Sequence, residues 1–237
     1  MLMSLLADFF STILAGESKT YNDHNWYITG SKLKGYIQGG FGTPYSLLGN
    51  KPLSEHTIGE VMQFQSRGRD ATGQLWATGR YQIIPTTFKG LVSDLKLKTT
   101  DKYDKATQDK MGLRLLTERT NLRNYLTSAV PDTTQNLEKA ALSVAMIWSS
   151  VGVPYQVQGK YGTVQKNQSY YSGGGDRASI TTEKVQEKLK ALRNNWLAAT
   201  TETIVEKKKL VGAFAFLLVL ASGWVAYRLY IKKPIIP

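Results

Sequence analysis

The sequence predicts a predominantly helical domain that carries a small β-hairpin and is followed by one C-terminal transmembrane helix. Three observations predict it. Apolar residues recur at helical spacing in several segments, one short stretch alternates within Gly- and Asn-rich sequence, and residues 210 to 227, "LVGAFAFLLVLASGWVAY", carry no charge. At ~1.5 Å rise per residue, that uncharged run nearly matches a hydrocarbon core ~30 Å thick. The 237 residues, 42% hydrophobic, suit one domain of ordinary size plus an appendage. The expected division is a domain over 1–198, a polar and basic hinge over 199–209, a membrane helix over 210–231 and a short basic tail over 232–237.

The first element is an amphipathic helix. "MLMSLLADFFSTILAG" is apolar but has no basic leader and contains Asp8, so it reads as a first helix rather than a cleaved signal peptide. Residues 21 to 52 are rich in Gly, Tyr and Asn, and "YITGSKLKGYI" reads as a small β-hairpin within a loop. A helix starts near Thr57, because Thr57 and Glu60 have capping-box spacing ahead of Val61 and Met62. Segment 104 to 119 is helical, with an acidic start and a basic end. Segment 135 to 150, with apolar residues at 137, 140, 141, 144, 145 and 148, is the expected central buried helix, stopped by Gly152 and Pro154. Residues 155 to 178 form a Gly-, Tyr- and Gln-rich loop too long for a mere connector, and a last helix runs from about Thr182 to Leu197.

Lys207, Lys208 and Lys209 precede the apolar run and Arg228, Lys232 and Lys233 follow it, a balance that leaves the membrane orientation open. Lys and Arg total 30 against 18 Asp and Glu, a formal charge of +12, so an anionic partner is expected; no motif for specific nucleic-acid recognition accompanies it. The chain has no cysteine, and its two histidines, His24 and His56, are far apart in sequence. Neither a thiolate nucleophile nor a His/Cys metal cluster is expected, which argues against zinc peptidases and cysteine amidases. No cofactor is expected.

One carboxylate is out of keeping with its surroundings. Continued at 100° per residue, the first helix places Glu17 in the apolar stripe of Leu6, Phe10 and Ile13. Burial and the negative end of a helix both raise a carboxyl pKa, and a carboxyl kept protonated near neutral pH can donate a proton to a leaving oxygen. The alternative is a solvated glutamate at a frayed helix end. A second stretch, "ATGRYQIIPTTF" (77 to 88), can bring backbone close to a ligand at Gly79 and set an amide and a ring beside it.

Taken in order, Glu17-Ser18, "TGRYQIIP", "ATQDKMGLRLL" (106 to 116) and "AMIWSSVGVPY" (145 to 155) resemble the lytic transglycosylases of the phage lambda endolysin family. Four landmarks over some 140 residues are more specific than any one of them. The resemblance implies an α+β, lysozyme-like, two-lobed domain whose cleft holds a peptidoglycan strand. It also implies cleavage of the β-1,4 bond between N-acetylmuramic acid and N-acetylglucosamine without water, leaving a 1,6-anhydro end. Carried onto this chain, Glu17 is the acid and then the base, Tyr81 and Gln82 lie in the cleft with Ser18, and Gly79 and Arg80 shape the turn.

Further substrate contacts are expected from Tyr170 and Tyr171 in "QSYYSGGG", the alternative being a loop that packs on itself. Trp148, on the apolar face of its helix, reads as core. Among possible second carboxylates, Glu60 reads as a cap, Glu55 adjoins the potential cap Ser54, and Asp70 lies in a charged run. Asp23 remains open, and with it plain hydrolysis by a muramidase; an inactive wall-binding scaffold is the other alternative. The tail adds the expectation of an anchored enzyme, in a virion inner membrane or in the host inner membrane with the domain facing the periplasm. Such an enzyme would open the wall locally for genome delivery, with the bilayer and other virion membrane proteins as partners.

Overall fold

The computed structural model describes residues 2–16, 18, 20–27, 34–37, 48–49, 51–67 and 74–196. In chain order the elements are α1 (Leu2–Ile13), β1 (His24–Tyr27), β2 (Lys34–Ile37), a 3-10 turn (Leu53–Glu55), α2 (Ile58–Ser66), β3 (Gln74–Thr78), α3 (Pro85–Asp94), α4 (Lys105–Glu118), α5 (Thr120–Leu126), α6 (Thr134–Ala145), β4 (Val157–Gln158), β5 (Thr163–Val164) and α7 (182–196). The architecture is α+β, with about half of the described residues helical and their strands gathered in two small sheets.

α1 turns Leu6, Phe9, Phe10 and Ile13 into the core, and Asp8 outward to an ion pair with Lys188 of α7 at 2.9 Å. α1 closes at Ile13, and residues 14 to 16 form a turn, so the helical projection that placed Glu17 in the apolar stripe runs past the last helical residue. α2 has both bonds of the expected capping box: the Glu60 amide donates to Thr57 Oγ1 (3.2 Å) and the Thr57 amide to Glu60 Oε2 (2.7 Å). Asp104 caps α4 by accepting from the Thr107 amide, and Thr133 caps α6 by accepting from that of Asn136. α6 buries Leu137, Ala140, Ala141, Val144 and Ala145, as its spacing predicts. It stops at Ala145 rather than at Gly152: beyond it the Ile147 amide bonds the Val144 carbonyl and the Val151 amide that of Trp148, the i to i−3 bonds of tight turns. Gly152 instead bridges to Ser169, with the Asn167 backbone so close that a Cβ would lie 2.7 Å from its Cα.

The expected hairpin is β1 and β2, antiparallel with His24 opposite Ile37. β3 joins it on the other side of β1, giving the order β2-β1-β3 with His24 opposite Thr78. The loop from 155 to 178 folds back on the body: it contains the β4–β5 pair, and backbone bonds join Val153 to Gln168 and Lys160 to Tyr170.

The transmembrane part of the expected fold requires correction. Among the described residues no helix is long and apolar enough to cross a membrane. α4, with 14 residues, rises about 21 Å against the ~30 Å of a hydrocarbon core. α7 is interrupted by Glu183, Lys184, Glu187, Lys188, Lys190 and Arg193. The span expected over 210–231 and its flanking segments lie outside the described residues. The placement as a single-pass protein of a virion or host membrane is withdrawn with it.

Candidate functional site

The site is built around the turn 79–82 that links β3 to α3. Thr78 and Ile83 exchange backbone bonds across its base (3.2 and 3.0 Å), and Pro85 at the first position of α3 ends it. Gly79 has φ +72° and donates its amide to the Asp23 carbonyl at 2.7 Å. A Cβ there would lie 2.2 Å from Gln108 Oε1, so glycine is needed for both its conformation and the space. Gln82 is left-handed as well, at φ +47°, and its Nε2 donates to the Gly79 carbonyl (2.9 Å) and more weakly to that of Asp23 (3.4 Å).

The segments singled out in the sequence meet at this turn. Ser18 Oγ donates to the Arg80 carbonyl (2.5 Å), and Arg80 Nη1 donates back to the Ser18 carbonyl (2.6 Å). Gln108 Oε1 accepts from the Arg80 amide (2.9 Å), while its Nε2 donates to the carbonyls of Tyr21 and Tyr103 (both 2.9 Å). Tyr81 Oη donates to Asp109 Oδ1 (2.8 Å), and its ring packs edge-on against Phe10, with centroids 4.8 Å apart. Gly112 leaves room for that ring, since a Cβ there would lie 2.4 Å from Tyr81 Cε1. Trp148, buried as expected, donates Nε1 to the Tyr81 carbonyl at 3.3 Å. Glu17 lies outside the described residues, but both of its chain neighbours are held. Ser18 is fixed by Arg80, and Gly16 lies so close to Ser150 and Ser179 that a Cβ would be 2.2 Å from Ser179 Oγ.

Several expected substrate contacts have their polar atoms engaged within the protein. Ser18 is 1% exposed and Tyr81 3%, and the Gln82 amide is bound to main chain. Tyr81 lines a cavity, with its hydroxyl given to Asp109. Tyr170 and Tyr171 form a separate edge-on pair (5.4 Å); Tyr170 packs on the core and Tyr171 Oη donates to the Met146 carbonyl at 2.7 Å. Asp23, the open second carboxylate, is fully buried, and its oxygens accept from the Thr20 amide (3.2 Å) and hydroxyl (2.8 Å), closing the loop that follows Ser18. His24 and His56, distant in sequence, are both buried and close enough to interact electrostatically.

A cavity of about 900 Å³ opens beside the turn, between α1 and α4. Leu6, Phe10 and Leu113 give it an apolar floor, and Tyr21, Arg80, Tyr81, Lys105, Asp109 and Lys110 are among the groups around it. Three of these form one polar cluster with Tyr81. Tyr21 Oη donates to Asp109 Oδ1 (2.7 Å), and Lys105 Nζ donates to Asp109 Oδ2 (2.6 Å) and to Tyr21 Oη (3.1 Å). Burial, reinforced by the Asp109 carboxylate, holds the Tyr81 phenol far above its ordinary pKa. Burial also raises that of Tyr21, and hydrogen bonding to Asp109 raises that of Lys105. Both tyrosines are therefore neutral donors near neutral pH and Lys105 is charged. Sequence reasoning assigned no role to Tyr21, Lys105 or Asp109. The i,i+4 spacing of Lys105 and Asp109 was the available signal, and it reads equally as an ordinary helix-surface pair.

Compared with protein-family profiles, curated proteins and solved structures, the chain matches none.

Proposed function

We propose that this chain is a peptidoglycan lytic transglycosylase in which Glu17 acts first as acid and then as base. The observation that carries the proposal is convergence: four segments spread from residue 16 to residue 150 meet at the 79–82 turn and hold both neighbours of Glu17. A purely structural origin for "GRYQ" would not require its arginine to grip the peptide next to a glutamate, and Gln108 of "QD" holds that arginine's amide in turn. The cavity lies in the ~300–1,000 Å³ range of ligand sites, and its apolar floor with a few polar groups suits an N-acetylated sugar.

The chemistry requires one carboxyl group. Protonated Glu17 gives its proton to the bridging oxygen as the C1–O bond of the muramic acid residue breaks, and the acetamido carbonyl stabilises the developing cation. The carboxylate then takes the proton of the same sugar's C6 hydroxyl while that oxygen bonds to C1. The product is a 1,6-anhydro sugar, no water is consumed, and the intramolecular attacker has a large effective concentration. Asp23 and Asp109 are each held by protein donors, in keeping with a single proton-transferring carboxyl.

Digestion of purified murein followed by mass spectrometry tests this. Anhydro ends, lighter by one water than hydrated ends, are expected, and Glu17→Gln should lower turnover by about 10²–10⁴-fold, the span of general acid–base catalysis. Hydrated reducing ends would replace the proposal with a muramidase. Binding to murein without any cleavage would leave a wall-binding scaffold.

A further inference from the structure

Asp109 is joined to the turn and to the loop after Ser18 through a single carboxylate oxygen. Its Oδ1 accepts from Tyr21 Oη at 2.7 Å and from Tyr81 Oη at 2.8 Å, and its Oδ2 is held by Lys105 at 2.6 Å. Tyr21 stands on the segment that follows Ser18, and Tyr81 stands on the turn whose Arg80 grips Ser18. The neighbouring Gln108 repeats the connection in main chain, taking the Arg80 amide and giving to the Tyr21 carbonyl. One turn of α4 therefore ties together two loops separated by some sixty residues.

Geometry decides what the tie is for. Tyr81 is almost fully buried and Tyr21 half-buried, so two hydroxyls are brought to one oxygen at the wall of the cavity. An apolar residue at 109 would leave the buried Tyr81 hydroxyl without its acceptor, which costs more than the bond itself. We propose that Asp109 is a positioning residue: through the hydroxyls of Tyr21 and Tyr81 it locks the segment after Ser18 against the 79–82 turn, and so sets the place of Ser18, the chain neighbour of the proposed acid. This rests on the transglycosylase reading of the site. It assigns Asp109 no proton transfer and no contact with sugar.

The test combines hydrogen exchange with kinetics on the full chain, using Asp109→Asn, Asp109→Ala, Tyr21→Phe and the double variant Tyr21→Phe/Asp109→Ala. Asp109→Ala should speed exchange at the amides of Ser18 and of residues 20 to 23 while leaving those of α6 unchanged. On soluble glycan strands kcat should fall roughly tenfold to a hundredfold, the cost of a misplacement near 1 Å, with KM within about twofold. Asp109→Asn, which keeps one acceptor oxygen, should recover part of the loss. In the double variant the losses should be less than additive, since one residue acts through the other.

Unchanged exchange at 18 to 23 would overturn the proposal whatever the activity. So would a normal kcat despite faster exchange, strict additivity, or a loss confined to KM. Faster exchange in a protein whose parent cleaves no murein would support the tie and sink the transglycosylase reading, so the two failures are separable.

Discussion

The junction formed by residues 18, 20–23, 79–82 and 108–112 contrasts with the loop from 155 to 178. Both are rich in hydroxyls, amides and aromatic rings. In the junction, side chains bridge segments far apart in sequence: Tyr21 to Asp109, Ser18 to Arg80, Trp148 to Tyr81. In the loop, backbone carries much of the bonding, and two rings, Tyr155 at 37% and Tyr161 at 57% exposure, face solvent. The first kind of bonding fixes one segment relative to another, because its side-chain ties span long stretches of sequence. Local backbone bonds give a loop its shape and leave its surface rings accessible.

The most forceful way to break this contrast is Gly79→Ala. The added Cβ would stand 2.2 Å from Gln108 Oε1 and 2.7 Å from Tyr103 Oη, at φ +72°. Overpacking at ~1–3 kcal/mol together with a left-handed penalty of ~1–2 kcal/mol gives about 3 kcal/mol of lost stability. Gly174→Ala in the loop is the matched control. Its clash is with the ring of the exposed Tyr161, which can swing away, and its φ is not left-handed, so a loss under about 1 kcal/mol is expected. Urea denaturation of the two variants compares them directly, and equal losses would mean that the junction is no more tightly built than the loop.

The same contrast explains what could be read from the sequence. α1, the capping box of α2, the helix α4 with its acidic start and the buried face of α6 were legible because helical period and cap chemistry act within a few residues. β3 was not, because "QLWAT" is short and pairs with β1 some fifty residues earlier without a hairpin turn to announce it. At the site, the motif order located the segments but not the direction of their polar atoms. Tyr81 and Gln82 were read as ligand contacts by residue type, and the fold uses their hydroxyl and amide to hold Asp109 and the backbone. Asp109 stood inside a motif without a role because its partners, Tyr21 and Tyr81, are 88 and 28 residues away.

Acid should act on one region before the other. His24 lies on β1 opposite Thr78, next to Asp23, whereas the loop carries no histidine. Burial lowers the His24 pKa below its ordinary value, against smaller opposing effects from the Asn22 carbonyl and Asp23. The unfolded chain therefore takes up the proton first, near pH 6.5. Stability held above that pH is lost as pH falls from there toward the lower folded-state value, by up to about 1.4 kcal/mol per pH unit. Hydrogen exchange at pH 7 and pH 5 should show faster opening of the junction amides with little change in the loop, and His24→Asn should flatten the difference. Equal acceleration in both regions would place the acid-sensitive group elsewhere.

The smallest expected effect bears most directly on substrate contact. Tyr171 was read as a sugar-binding residue, yet its hydroxyl is bound to the Met146 carbonyl and its ring stands against Tyr170 with Lys160 Nζ 5.4 Å from its centroid. A ring held on these sides acts as packing, so Tyr171→Phe should cost about 1 kcal/mol, the worth of one hydrogen bond, and leave KM for glycan strands unchanged. Tyr161→Ala, at the exposed ring, should cost little stability and is the substitution by which this loop would raise KM if it touches sugar at all. A several-fold rise in KM for Tyr171→Phe with stability intact would reverse the assignment, because a hydroxyl engaged with Met146 has no donor left to give a sugar. The order of these two effects on KM therefore decides whether the loop meets substrate through its exposed rings or through the pair it keeps partly buried.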